Sequence, residues 1–365
     1  MTITAPVPAI TARIGIRDVP VYLGPGTIEA VGALMAAGAE GDGVMVVVDD
    51  GVMGAGERVA QACRGAGLRV TLQAVPAGEA SKNLSELERL ARAAARAGIR
   101  RRDAVIAVGG GVVGDLAGFL AASYQRGVRL VQVPTTLLAM VDSSLGGKTG
   151  VDLPEGKNYV GAVYQPEAVV MDTTVLGTLP PRELSCGFAE VVKYGLLVGG
   201  DLMEMVAGWP VLPGPPAALA DLIRQCAECK LEVVAEDEMD LGRRAILNLG
   251  HTVGHGIEAA AGYDLYHHGE AISLGLLAAL RISERTLGLA PQWRERTRET
   301  LARHGLPVRM DPSVDVAEVI EIMSRDKKSD GRALNMVLLR APGDVLTHQD
   351  PDPAVVRDAV EELLT

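Results

Sequence analysis

Apolar and polar positions follow two different rhythms along this chain. Between residues 44 and 134, short β-branched runs alternate with alanine-rich stretches of helical period: VMVVVDD (44–50), LRVTLQAV (68–75), DAVIAVGG (103–110) and VRLVQVP (128–134). Strands recurring with helices between them predict a largely parallel sheet flanked by helices. From Leu179 onward the strand rhythm fades, and PPRELSCGFAEVVKYGLL, 218–238, 244–261 and 269–288 carry apolar residues at helical spacing. The pattern predicts an α/β domain over residues 1–178, then a mostly α-helical domain over 179–365. ALNMVLLRA (333–341) is a late strand-like run, and the proline-rich PVLPGPPAALA (210–220) reads as a connection between helices.

Composition narrows the function classes. The chain has 365 residues, 48% hydrophobic and 22% charged, enough for a sizeable core in each of two domains. MTITAPVPAITARIGI at the N-terminus has no basic segment leading into an apolar run, and no stretch approaches the ~18–20 apolar residues of a membrane span. A cytoplasmic protein is expected. The net charge of −11 argues against nucleic acid or anionic lipid as partners, so an anionic ligand needs a local cluster of cations. Lysine placement is therefore informative: of 35 Lys plus Arg only seven are lysines, namely Lys82, Lys148, Lys157, Lys193, Lys230, Lys327 and Lys328. Cys63, Cys186, Cys226 and Cys229 are too sparse for a disulfide framework, and the Cys226–Cys229 CxxC lacks the second pair of a zinc site. They are read as reduced thiols.

Three clusters carry candidate chemistry. DAVIAV runs into GGGVVGD (109–115) and then into the helical LAGFLAASY, a glycine turn at a helix N-terminus whose backbone amides can hold a diphosphate. The spacing matches the GxGxxG of Rossmann-like units, but Pro134–Thr136 stand where the acidic residue ~20 positions on is expected. A tight turn without a ligand is the alternative. The second cluster is Asp142, SSLGGKTG with Lys148, and EGKN with Lys157 and Asn158. Its GGKT lacks the first glycine of a P-loop, which excludes a nucleotide triphosphatase. The lysines and asparagine suit a phosphate or carboxylate site, against a merely solvated loop.

The third cluster follows from helix geometry. At ~100° per residue, Arg244, Asn248, His251 and His255 fall within an arc of about 60°, with Ile246, Leu249, Val253 and Ile257 opposite. Gly250, Gly254 and Gly256 are costly in a helix and imply that something approaches the backbone closely. Four of the six histidines lie between 251 and 268. His251 and His255 at i, i+4 could chelate one metal, completed by His267, His268 or a carboxylate such as Glu190. A plain Glu190–Lys193 surface pair is the alternative on that helix.

With these residues assembled, the chain resembles the 3-dehydroquinate synthase family of sugar-phosphate cyclases, enzymes of the shikimate pathway to aromatic amino acids. The resemblance covers about residues 45–340 and rests on PAGEASKNL, GGGVVGDLAGFLAASYQRGV, QVPTTLLAMVDSSLGGKTGVD, EGKNYVGAVYQP, GFAEVVKYG, ILNLGHTVGHGIEA, HHGEA and RDKK, in that order. It implies a Rossmann-like α/β domain binding NAD and a helical domain binding metal and substrate. Glu190, His251 and His268 would bind the metal, zinc or alternatively cobalt, leaving His255 as a substrate contact. NAD would lie against Asp49, Glu79, Lys82, the turn Gly109, Gly110, Gly111, Val112, Val113, Gly114 and Asp115, then Thr135, Thr136, Asp142, Lys148 and Lys157. Asp142, Lys148, Asn158, Lys193, Lys230, Arg244, Asn248, His255, Lys327 and Lys328 would surround the substrate, with Arg126 reaching in from the partner of a homodimer.

The implied activity is a carbon–oxygen lyase that converts 3-deoxy-D-arabino-heptulosonate 7-phosphate to 3-dehydroquinate and phosphate. Transient oxidation at C5 acidifies the C6 proton, phosphate leaves, C5 is reduced again, and an intramolecular aldol step closes the ring. Three positions depart from the family pattern: Gly51 near the adenosine ribose, Phe188 in place of a common methionine, and Asn335 where an arginine often follows the late lysines. Cyclases giving 2-deoxy-scyllo-inosose or 2-epi-5-epi-valiolone act on substrates without a carboxylate, so the full set of cations favours dehydroquinate synthase. Amino-dehydroquinate synthase and an NAD-dependent polyol or glycerol-phosphate dehydrogenase are the alternatives.

Overall fold

The computed structural model describes residues 7–37, 41–212, 216–262, 264–330 and 334–365, and of these the side chains of all but 216–217 and 325–330. The chain forms two compact units, Met1–Leu179 with Pro215–Met239, and Pro180–Gly214 with Asp240–Thr365.

The first unit is built on a seven-stranded sheet. Its strands are β1 (Ile10–Ile14), β2 (Arg17–Gly24), β3 (Gly43–Asp49), β4 (Arg69–Val75), β5 (Ala104–Gly109) and β6 (Arg129–Pro134). After a separate hairpin of β7 (Lys148–Leu153) and β8 (Gly156–Val163), β9 (Ala168–Asp172) completes it. The order is β1-β2-β9-β6-β5-β3-β4, antiparallel at β1–β2 and parallel in the other pairs. Valine-rich β3 and β5 are buried almost throughout, as expected of central parallel strands covered on both faces. Met45, Val47, Val105 and Ala107 pack on Val113, Leu116, Ala117 and Leu120 of the helix Gly111–Ser123.

The order reverses between β3 and β5, where the chain leaves β3 outward to β4 and returns on the other side. Ligands of open α/β sheets bind at the carboxyl ends of strands beside such a reversal. Asp49 and Gly109 end these two strands.

The second unit is mostly helical. Helix Pro181–Val198 starts with proline at its first position and stops at Gly199 with φ 69°. His251–Ala260, His268–Leu287, Pro291–Arg303 and Val316–Asp330 follow, and the late strand-like run becomes β10 (Met336–Ala341), paired with β11 (Asp344–Gln349).

Two expectations change. The span 179–365 is not one body, because helix Pro216–Glu236 groups with the first unit. Nor is 244–261 one helix. Residues Arg243–Asn248 form a 3₁₀ turn, Gly250 takes a left-handed conformation at φ 80°, and the α-helix begins at His251. Arg244 and Asn248 therefore do not share a helical stripe with His251 and His255. The glycines are explained by neighbouring helices rather than a ligand: a Cβ on Gly250 would lie 2.9 Å from the Leu276 nitrogen, and one on Gly254 would lie 3.2 Å from the Ala271 carbonyl.

Candidate active site

Each unit holds one cluster of the expected residues. In the first, β5 delivers the glycine turn, with Gly110 extended as the N-cap of helix Gly111–Ser123. Part of the glycine requirement is internal, since a Cβ on Gly109 would meet Val113 at 2.9 Å and one on Gly111 would meet Ser143 Oγ at 3.0 Å. The first amides of this helix lack intrahelical acceptors and carry the positive end of its dipole. Thr135 Oγ1 and Ser143 Oγ are buried without a hydrogen-bond partner among the described residues. Thr135 holds the end of β6 to β5 by donating its amide to the Gly109 carbonyl at 2.9 Å, so its orphaned hydroxyl lies beside the glycine turn. A cofactor with polar atoms fits this cradle.

Around it, Asp49 accepts from the Gly51 amide at 2.9 Å, and a Cβ on Gly51 would sit 3.1 Å from that carboxylate. Glu79 is exposed in a 3₁₀ turn. Lys82 is buried and donates to Asp115 Oδ2 and to Asn158 Oδ1, both at 2.6 Å. Burial alone would lower its pKa, but the carboxylates of Asp115, Glu79 and Asp152 together more than offset this, so its pKa is raised. Thr136 Oγ1 accepts from the Ala139 amide at 3.0 Å and opens the turn that carries Asp142.

Lys230, from the distant helix Pro216–Glu236, donates to the Asp142 carboxylate at 2.9 Å and to its backbone carbonyl at 2.8 Å. Lys148 begins β7 and is exposed, while Lys157 and Asn158 lie on β8, Asn158 at φ 60°. Arg126 is exposed in the 3₁₀ turn after helix Gly111–Ser123, at φ 62°.

In the second unit, Glu190 and Lys193 lie one turn apart on helix Pro181–Val198, fully buried and paired. This is not the surface pair that sequence allowed. Desolvating two such charges costs several kcal/mol per ion, so stability alone gives no reason to keep them. Glu190 Oε1 lies 3.5 Å from His251 Nε2 and 3.5 Å from His268 Nε2. One ligand atom from each of these three residues lies within 4.8 Å of the others, and a carboxylate with two imidazoles is a donor set for a divalent cation. Burial drives the His251 imidazole down to about 3. For His268 burial acts the same way, but the Glu190 and Glu258 carboxylates prevail and raise it to about 9.

His255 is exposed, its ring 5.3 Å from that of His251 and 5.9 Å from that of His268. His255 and His251 thus do not form the primary pair around Glu190, whereas His255, Glu258 and His268 make a second convergent set. His267 turns away to Glu183 at 3.0 Å. Arg244 is buried and Asn248 exposed on the 3₁₀ turn. The side chains of Lys327 and Lys328 lie outside the described residues. Glu258 is the residue that reading the sequence missed. Its spacing carried the signal, because positions 251, 255 and 258 share one helical face.

The chain matches the family model for the N-terminal part of 3-dehydroquinate synthase over residues 72–186 and the C-terminal model over residues 187–329. The 3-dehydroquinate synthase of Symbiobacterium thermophilum is 44% identical over 357 residues, 96% of this chain and 99% of the relative. The chain belongs to the 3-dehydroquinate synthase family. Solved structures of related cyclases share this family's architecture. A 2-deoxy-scyllo-inosose synthase complexed with carbaglucose-6-phosphate, NAD+ and Co2+ is 28% identical, with a TM-score of 0.87 and coverage of 97% of this chain and 99% of that one. The 2-epi-5-epi-valiolone synthase ValA from Streptomyces hygroscopicus, with NAD+ and Zn2+ bound, is 26% identical, with a TM-score of 0.84 and coverage of 98% and 99%. Among the described residues, no helix is long and apolar enough to cross a membrane.

Proposed function

We propose that this chain is a 3-dehydroquinate synthase that uses NAD and a zinc ion to convert 3-deoxy-D-arabino-heptulosonate 7-phosphate to 3-dehydroquinate and phosphate. The observation that carries the reading is the convergence of buried Glu190 with the half-buried His251 and His268 in a chain 44% identical to a 3-dehydroquinate synthase. Bound NAD would supply a reversible hydride acceptor at C5, and a divalent cation on Glu190, His251 and His268 would polarise the C5 oxygen.

The protein's own groups then have three tasks. The Gly109–Asp115 turn and the helix behind it hold the cofactor diphosphate on backbone amides, with Asp49, Glu79, Lys82, Thr135 and Thr136 placing the rest. The buried Arg244 guanidinium, with Lys148, Asn158, Asn248, His255, Lys327 and Lys328, binds the phosphate and carboxylate, for which a planar fork suits bidentate contact. Lys193 and Lys230, held by Glu190 and Asp142, would meet negative charge developing on the substrate. Asp142, Lys148 and Lys157 would also contact the cofactor. Exposed Arg126 serves the partner's site in a homodimer. Free cysteines and an NAD requirement suit a cytoplasmic enzyme.

One assay tests this. With the heptulosonate phosphate, catalytic NAD and zinc, phosphate should be released with no net NADH, and His268→Ala should contain no zinc. Stoichiometric NADH would mark a dehydrogenase, and absence of phosphate release would remove the synthase reading.

A further inference from the structure

Glu258 is a buried carboxylate on helix His251–Ala260, and the proposed reaction gives it no task. Its Oε2 lies 3.4 Å from His268 Nδ1, while the other ring nitrogen of His268 faces Glu190 Oε1 at 3.5 Å. One imidazole is thus addressed by two carboxylates, one at each nitrogen. His251 repeats the arrangement: Nε2 faces Glu190 Oε1 at 3.5 Å, and Nδ1 lies 3.2 Å from the Leu249 carbonyl. Both histidines therefore turn Nε2 inward and set Nδ1 against an acceptor in the protein.

We infer that Glu258 is a positioning residue that accepts the Nδ1–H of His268 and so reserves Nε2 for the metal. The inference rests on Glu190, His251 and His268 being the metal site. A neutral imidazole carries one N–H, and the nitrogen that keeps it is set by the hydrogen bond it makes. With a carboxylate as acceptor, the ring is held in one tautomer and one orientation, and Nε2 becomes a more basic ligand. The rival role for Glu258 is as ligand to a second ion with His255 and His268. It would strip Nδ1 of its proton while Nε2 is also engaged, turning His268 into a doubly coordinated anion, and would recruit an exposed histidine. The single-ion arrangement needs neither.

The test is zinc binding by the full-length protein, measured in competition with a chromophoric chelator, with the unfolding temperature of each metal-free variant checking the fold. Wild type should bind one ion per chain. Glu258→Ala should bind about 10–100-fold more weakly, and Glu258→Gln should lose less, because its amide oxygen still accepts the N–H. In zinc-loaded wild type, ¹⁵N NMR of the imidazoles should show His268 protonated at Nδ1. Wild-type affinity in folded Glu258→Ala would overturn the inference and leave the metal site standing. If Glu258→Ala does not fold, wild-type affinity in Glu258→Gln together with an unprotonated Nδ1 overturns it. Two ions per chain, one of them lost in both Glu258→Ala and His255→Ala, would establish the rival. Absence of zinc binding by wild type would remove both the metal site and the role of Glu258.

Discussion

Phe188 stands two residues before Glu190, and its ring stacks flat on the buried imidazole of His304, centroids 3.9 Å apart. The substitution that set this chain apart from the common methionine thus has a partner, which linear order 116 positions apart could not show. His304 is held down to about 4, first by burial and then by the charge of Arg303, against about 6.5 in an unfolded chain. Between those values the unfolded chain takes up a proton that the folded chain refuses. Stability from this group is complete above about 6.5 and is lost as pH falls toward about 4. Urea unfolding of wild type should lose up to ~3 kcal/mol more over that range than His304→Phe does; parallel slopes would refute it. The choice between His251 and His255 as metal ligand was also illegible from spacing, since both lie on one helical face. Only the position of Glu190, from another helix, separates them.

Elements were legible where burial is simple. Central β3 and β5 are apolar runs because both faces are covered. The first two strands and the β7–β8 hairpin carry no clear strand rhythm because they are partly exposed and interrupted by glycine, proline or charge. The 244–261 segment reads as one helix because periodicity does not register a left-handed glycine. Gly250 is fixed by its neighbour: a Cβ on Gly275 would lie 2.1 Å from the Gly250 carbonyl and 2.7 Å from the Gly254 nitrogen. Gly275→Ala must push apart the two helices that carry His251 and His268. It should cost about 3 kcal/mol or more and weaken zinc binding, read by thermal melting and a zinc titration. An unchanged melting temperature would mean the helices are not locked there.

For the whole molecule, the family was legible because its motifs occur in order along nearly the whole chain. The division into units was not, since helical periodicity does not say which body a helix joins. Mixed dimers of Arg126→Ala and His268→Ala, each inactive alone, should regain activity, because the first chain's intact site receives Arg126 from the second. No recovery after confirmed subunit exchange would place Arg126 in its own chain's site or in none.

The helix Pro216–Glu236 that rejoins the first unit also bears on biogenesis. Ribosomes release chains from the N-terminus, and domains tend to fold as they emerge. Here the sheet emerges first, but Asp142 waits for Lys230, 88 residues later, and Pro180–Gly214 must be synthesised in between. A nascent chain paused after Leu179 therefore holds an unfinished unit, and a gene cut at that point would encode two incomplete fragments.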